Sequence, residues 1–272
     1  MSLSGRCGSK KLLSMNEGEN MNLKLVTALI IGTVLMLGVT LLCRLKYGFP
    51  IWKTVAATAL LTVVGVVSVK IMFFVENGTW GGLSFFGAVF LVPFWFLPIS
   101  LLLRLPYRAL LDITAPAICI MLALMKVECL LTGCCKGRTL YETAAGQVVR
   151  FPSQIVELCG ALLLLVILLL LIFQNKQRGR IYPWFMILYG TTRFVLNWFR
   201  ETEPFIWKLS FGVFWSLISI FLGVCLLVAF SKKDNRCKKR QLPKRKGLET
   251  GHARKTEEGC MEQGRVENKL CP

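Results

Sequence analysis

Residues 209–230 have the sequence LSFGVFWSLISIFLGVCLLVAF, which contains no charged side chain. A helix needs about 20 mainly apolar residues to cross the hydrocarbon core of a membrane, and this stretch is long enough. Two other long uncharged stretches occupy residues 25–43 and 77–103. All three therefore predict membrane-spanning helices.

Four further apolar blocks each carry one to three ionisable residues, at 54–75, 109–130, 154–173 and 181–199. With the uncharged stretches they predict an all-α fold, a polytopic membrane bundle of about seven transmembrane helices. We expect this bundle to occupy residues 23–230. On either side we expect disorder, in an N-terminal extension at 1–22 and in a basic cytoplasmic tail at 231–272.

The formal net charge is +18, and +7 of it lies in the tail, where residues 232–272 contain thirteen Lys or Arg against six Asp or Glu. A basic segment directly after a transmembrane helix ordinarily anchors on anionic lipid headgroups. We therefore expect the tail to contact the membrane bilayer and no nucleic acid. The links 44–53, 104–108 and 174–180 are also basic and lack acidic residues, which predicts a cytoplasmic C-terminus and an N-terminus outside.

Ionisable residues inside membrane spans are costly and usually face a cavity, a partner or a substrate. Here they are Lys70, Asp112, Lys126, Glu128, Glu157 and Arg193, with Arg200 at a span end. Most of them lie toward the outer ends of their helices, so several can meet near one leaflet. A chamber with surplus positive charge suits a phosphate-bearing lipid, because Arg binds phosphate oxygens through two donors and Lys acts as a point charge.

Several of these residues also have a purely structural interpretation. Lys126 and Arg200 could extend to the membrane interface instead of lining a chamber. Asp112 is expected to pair or to cap near the start of the fourth span, and Lys70 to neutralise an acidic neighbour. Aromatic residues of the last two spans are expected to act as interfacial anchors, namely Tyr182, Trp184, Tyr189, Trp198 and Trp207.

Five segments, in this order, resemble the prolipoprotein diacylglyceryl transferase family. They are WGGLSFFG at 80–87, DITAP at 112–116, KVECLLTGCCKGR at 126–138, FPSQIVE at 151–157 and YGTTRFVLNWFR at 189–200. Enzymes of this family transfer the diacylglyceryl group of phosphatidylglycerol to the lipobox cysteine thiol of a prolipoprotein and release glycerol phosphate. The resemblance thus implies a multi-pass protein of the bacterial plasma membrane that acts in lipoprotein biosynthesis.

The resemblance also implies a site and its partners. The partners are phosphatidylglycerol and prolipoprotein signal peptides, and neither a cofactor nor a metal is expected. The implied catalytic residues are Lys126, Glu157 and Arg193. The implied lipid phosphate-binding residues are Lys126, Arg138, Arg193 and Arg200. The implied cavity-lining residues are Gly81, Gly82, Ser84, Gly87, Gln154 and Asn197.

Some positions depart from the family pattern. Phe86 and Phe151 stand where the family has histidines, and His252 in the tail is the chain's single histidine. The acceptor thiol must nevertheless become a thiolate, because the thiol is a poor nucleophile. The base could be Glu157, Glu128 or a lysine, or the cations alone could acidify the thiol.

Three functions are therefore open at this point. The chain could be a diacylglyceryl transferase, or a catalytically degenerate relative that binds an anionic phospholipid or a membrane partner. It could also be a small transporter with Lys70, Asp112 and Arg193 along its pathway, although no inverted repeat is evident. Cys129, Cys134 and Cys135 are expected to pack as small residues; a zinc site there would need a fourth ligand that the neighbouring sequence does not supply.

Overall fold

The computed structural model describes residues 27–80, 82–133, 137–142, 148–174, 177–199 and 210–241. Within these ranges the chain forms seven helices and one β-hairpin. In chain order the elements are α1 (Thr27–Tyr47), α2 (Ile51–Asn77), α3 (Phe86–Leu103), α4 (Tyr107–Thr132), β1 (Thr139–Glu142), β2 (Val148–Arg150), α5 (Ser153–Phe173), α6 (Ile181–Asn197) and α7 (Phe211–Gln241).

Six of the seven helices are long and apolar enough to cross a membrane. The exception is α6, whose 17 residues correspond to a length of about 26 Å. The predicted helical, multi-pass membrane bundle is confirmed, with a small antiparallel hairpin that the sequence did not indicate. The direction in which the termini face remains a prediction.

Two predicted boundaries differ from the structure. The uncharged stretch 77–103 is not one helix, because α2 continues to Asn77 and ends at Gly78 in the left-handed conformation, with φ of 68°. Glycine adopts that conformation without the steric cost that a Cβ brings. At the other end of the chain, α7 continues to Gln241, past the predicted start of a disordered tail at 231.

The extension of α7 has an electrostatic cause. Asp234 accepts from Arg108 at 2.8 Å and from Arg180 at 2.8 Å, so it joins α7 to the start of α4 and to the residue before α6. Arg108 also lies over the ring of Phe230, 4.2 Å from its centroid. These contacts hold the last turns of α7 against the bundle; residues 242–272 lie outside the described part of the chain.

Helix α4 is the most buried of the six long apolar helices. It packs on α5, α3 and α6, while α2 packs on α3 and α6 on α7. Small residues allow some of these close approaches. A Cβ added at Gly87, in the first turn of α3, would lie 2.0 Å from the backbone oxygen of Ser68 in α2.

Asp112 caps a helix, but not the one that the sequence indicated. Its buried carboxylate, in the second turn of α4, accepts from the backbone N–H of Gly179, of Ile181 at 2.9 Å and of Tyr182 at 3.4 Å. Those groups are the start of α6, whose first N–H groups have no partner within their own helix. The hydroxyl of Tyr47 also donates to it at 2.7 Å. Asp112 therefore connects α1, α4 and α6.

The prediction that Tyr182 and Tyr189 are interfacial anchors is wrong. Each is about 1% exposed, inside the bundle rather than at its surface. The Tyr182 hydroxyl donates to the backbone oxygen of Val89 at 2.9 Å, and Tyr189 packs on the rings of Phe85 and Phe86. Both belong to the aromatic interior between α3 and α6.

Replacing Asp112 by Ala should lower the free energy of unfolding by about 3 kcal/mol or more, because several buried donors lose their acceptor together. Thermal unfolding in detergent measures this as a fall in Tm. The matched control is Asp234→Asn, whose partly exposed ion pairs should contribute at most about 1 kcal/mol. Equal losses in the two variants would contradict the assigned role of Asp112.

Gly87→Ala should also destabilise the bundle, by about 1–3 kcal/mol, because α2 and α3 must separate to admit the methyl group. Gly38→Ala in α1 is the control, since a Cβ there meets nothing within 4 Å and alanine is the better helix former. We expect the Tm of Gly38→Ala to be unchanged or raised. A Tm for Gly87→Ala equal to that of the wild type would show that the two helices are not in tight contact.

Candidate functional site

Two cationic side chains, from α4 and α6, meet at one carboxylate from α5. Lys126 Nζ lies 2.5 Å from Glu157 Oε2, and Arg193 NH1 lies 2.9 Å from the same oxygen. The side chains of Lys126, Glu157 and Arg193 are 10%, 5% and 20% exposed. Two cations and one anion leave this cluster with a formal surplus of one positive charge.

The chain places these residues at one end of the bundle. Lys126 lies about two turns before the end of α4, Glu157 in the second turn of α5, and Arg193 about one turn before the end of α6. Burying one ion without a partner costs several kcal/mol, whereas a shared carboxylate compensates both cations. The ion pairs thus give α4, α5 and α6 a fixed arrangement around the cluster.

An aromatic surface lies beside Arg193. The guanidinium carbon is 5.9 Å from the centroid of the Phe86 ring. Phe86 is buried and packs edge-on against Tyr189 and stacked on Phe90, with centroids 5.6 and 5.9 Å away. The residue at the family's histidine position therefore supports the arginine through its ring face, a favourable position for a cation.

The loop before α3 brings a second carboxylate to the site. Ser84 donates its hydroxyl to Glu76 Oε1 at 2.8 Å, and its backbone N–H donates to Val69 at 3.1 Å. Glu76 was not singled out from the sequence. The sequence offered no signal for its pairing with Ser84, because that pairing depends on the turn at Gly78.

Gly82 and Gly87 shape the same loop. A Cβ at Gly82 would lie 2.4 Å from the Phe73 ring, and one at Gly87 would meet the backbone of α2. These glycines therefore hold Ser84 and Phe86 close to α2.

Arg138 lies outside the ion-paired cluster. Among the residues that the structure describes, its exposed side chain takes part in none of the ion pairs. Its backbone is fixed at the base of the hairpin, where its N–H donates to Phe199 and its carbonyl accepts from Phe151, both at 3.0 Å. Gly137 is needed beside it, because a Cβ would lie 2.2 Å from the Phe151 oxygen.

Phe151, at the second histidine position of the family, also packs on an aromatic ring. It stacks on Phe199 with centroids 4.8 Å apart. Together with the hydrogen bonds through Arg138, this contact ties the start of α5 to the end of α6.

Gln154 and Asn197 make structural contacts near the cluster. Gln154 Nε2 donates to the backbone oxygen of Cys129 at 3.4 Å, which joins α5 to α4. Asn197 Nδ2 donates to the Ser210 hydroxyl and lies against Gly212, which joins α6 to the start of α7. Gly81, Arg200, Cys134 and Cys135 lie outside the described residues.

Two apolar cavities flank α3. One, of about 340 Å³, lies between α1, α2, α3 and α4, and its polar lining includes Lys70, Glu128 and Cys129. Lys70 donates from Nζ to the Trp80 oxygen at 3.1 Å. The other, of about 510 Å³, lies between α3, α6 and α7 and is lined by Phe90 and Trp215. Both volumes are in the range of small-molecule sites in proteins.

Beside the charged cluster itself the free space is small. A cleft of about 10 Å³ touches Glu157, Arg193 and Tyr189, which is room for about one water molecule. A ligand that reaches Arg193 must therefore displace side chains or exchange with one of the present ion pairs.

The comparisons with known proteins support the family resemblance of the sequence. A family model described as prolipoprotein diacylglyceryl transferase matches residues 72–229. That range includes all three members of the charged cluster, Glu76, and the five segments that carry the resemblance.

Several curated relatives are named phosphatidylglycerol–prolipoprotein diacylglyceryl transferase. One from Idiomarina loihiensis is 36% identical over 102 residues, which are 35% of this chain and 37% of the relative. One from a Polaromonas species is 27% identical over 159 residues, 53% of this chain and 56% of the relative. One from Francisella tularensis is 29% identical over 182 residues, 61% of this chain and 66% of the relative.

The chain thus spans between about a third and two thirds of the length of these curated relatives. The family model covers more than half of the 272 residues. On that match, the chain belongs to the prolipoprotein diacylglyceryl transferase family.

Proposed function

We propose that this protein is an enzyme of the bacterial plasma membrane that transfers the diacylglyceryl group from phosphatidylglycerol to the lipobox cysteine of prolipoproteins. The observation that carries the proposal is the meeting of Lys126 and Arg193, from α4 and α6, on the buried carboxylate of Glu157. Two neighbouring cations can bind the phosphate of an anionic lipid through charge-assisted hydrogen bonds.

Arg193 is suited to hold the lipid phosphate without leaving Glu157. A guanidinium has five N–H donors in a planar fork, so one edge can donate to a carboxylate and another to phosphate oxygens. Lys126 contributes charge from the neighbouring helix. The guanidinium carbon of Arg193 also lies over the Phe86 ring, 5.9 Å from its centroid.

The reaction needs this positive charge when the C–O bond between the lipid glycerol and its phosphate is cleaved. The cysteine sulfur attacks the glycerol carbon, a C–S bond forms, and the C–O bond to phosphate breaks, so that glycerol phosphate leaves with the electron pair. Preorganised cations stabilise the charge that grows on the leaving oxygen. Lys126 and Arg193 are the groups for this role, and the apolar cavities beside α3 offer space for acyl chains.

Arg193→Ala should lower the rate of transfer by about 10²-fold or more, a loss typical of removing one transition-state donor. Arg193→Lys should keep part of the rate, because the charge stays while the fork is lost. The measurement is transfer of labelled diacylglyceryl from phosphatidylglycerol vesicles to a lipobox peptide. Lys53→Ala is the control, because Lys53 lies in the first turn of α2 whereas Glu76 lies in its last turn. We expect this variant to transfer at the wild-type rate.

A Tm measured for each variant separates catalysis from folding. Arg193→Ala leaves Glu157 paired with Lys126, so the bundle should persist. Unchanged lipid binding and unchanged transfer in Arg193→Ala would contradict the proposal.

Complementation tests the same proposal in cells. The chain should restore growth to a conditional mutant that lacks its own prolipoprotein diacylglyceryl transferase, and labelled lipid should appear on its lipoproteins. Phosphatidylglycerol binding without rescue or transfer would instead indicate a degenerate family member. The buried Phe86 is the observation that would then explain the loss.

A further inference from the structure

The candidate site contains two carboxylates, and they differ in their partners. Glu157 receives two cations on a single oxygen, at 2.5 and 2.9 Å. Glu76 receives a hydrogen bond from the neutral hydroxyl of Ser84 at 2.8 Å. A carboxylate held by two cations is a weak proton acceptor, because protonation would forfeit both ion pairs. Glu76 forfeits much less when it takes up a proton.

Glu76 is linked through Ser84 to the segment that contacts Arg193. Its partner Ser84 is two residues before Phe86, whose ring lies 5.9 Å from the guanidinium carbon of Arg193. Arg193 itself forms an ion pair with Glu157 at 2.9 Å. The Ser84–Glu76 pair therefore lies beside the position at which this chain has phenylalanine, a side chain that cannot accept a proton.

We propose that Glu76 is the catalytic base of the transfer reaction and that Ser84 is the positioning residue that orients it. This inference rests on the proposed function. The S–H proton of the acceptor cysteine passes to the Glu76 carboxylate, and the thiolate attacks the glycerol carbon. Glu76 then gives the proton to the departing glycerol phosphate or to water, so that the enzyme ends in its starting state.

Proton uptake by Glu76 also changes the charge of the site at the required moment. Before the reaction the formal charges of Lys126, Arg193, Glu76 and Glu157 sum to zero. Protonation of Glu76 leaves a formal surplus of one positive charge among these four groups while the negative leaving group develops. Deprotonation of the thiol and stabilisation of the leaving group are thereby coupled through the charge of the site.

The test is the pH dependence of transfer by Glu76→Gln, with labelled phosphatidylglycerol vesicles and a lipobox peptide. Glutamine keeps the shape and can still accept from Ser84. At pH 7 we expect a rate loss of about 10²-fold or more, with the KM for phosphatidylglycerol unchanged. Above the thiol pKa of about 8.5 the cysteine ionises without help, so the loss should shrink to below about tenfold.

Three comparison variants make the outcome specific. Glu142→Gln, the same change at an exposed residue of β1, should behave as the wild type. Ser84→Ala keeps the carboxylate and should lose less rate than Glu76→Gln. Glu76→Asp should restore part of the rate at pH 7. If Glu128→Gln shows the pH-dependent loss instead, the proposal is overturned.

The remaining outcomes separate this inference from the proposed function. A wild-type protein that transfers, with a Glu76→Gln variant equal to it at every pH, overturns the role of Glu76 alone. A loss that is the same at all pH values and accompanies a lower Tm shows a structural role and also overturns it. A wild-type protein that transfers nothing overturns the proposed function, and the inference with it.

Discussion

The structure depends on one buried carboxylate that two cations share. Without Glu157, Lys126 and Arg193 would be two like charges in apolar surroundings, and α4, α5 and α6 could not keep them close together. With it, the helices hold a net positive cluster at the end of a bundle whose remaining interior is apolar and aromatic. The same interaction therefore sets the helix arrangement and creates the charge on which the proposed chemistry relies.

Much of this could be predicted from the sequence. The cost of charge inside an apolar helix predicts that Lys126, Glu157 and Arg193 converge near one leaflet, but not that they form ion pairs with one another. The lengths of the apolar blocks predict the helix bundle. The sequence predicts that Asp112 pairs or caps, but it does not predict which helix Asp112 caps. The N–H groups that it caps belong to α6, and pairing across 67 to 70 positions is decided by packing rather than by local pattern.

Other features were beyond sequence reasoning for physical reasons. Tyrosine is a residue type that often anchors helices at the membrane interface. Only the position of α6 against α3 shows that Tyr182 and Tyr189 are interior. Glu76 stands in the last turn of its helix, where an exposed acidic residue is ordinary. The loop that contains Gly82 brings Ser84 back to Glu76. Hydropathy indicates neither the turn at Gly78 nor the contact between Ser84 and Glu76.

Asp112 has a consequence for exchanging segments between family members. The first turn of α6 receives its acceptor from α4, so the boundary of one helix is encoded in another. A chimera that takes α6 from another protein keeps a capped helix start only where the recipient's α4 has an acidic side chain at the position of Asp112.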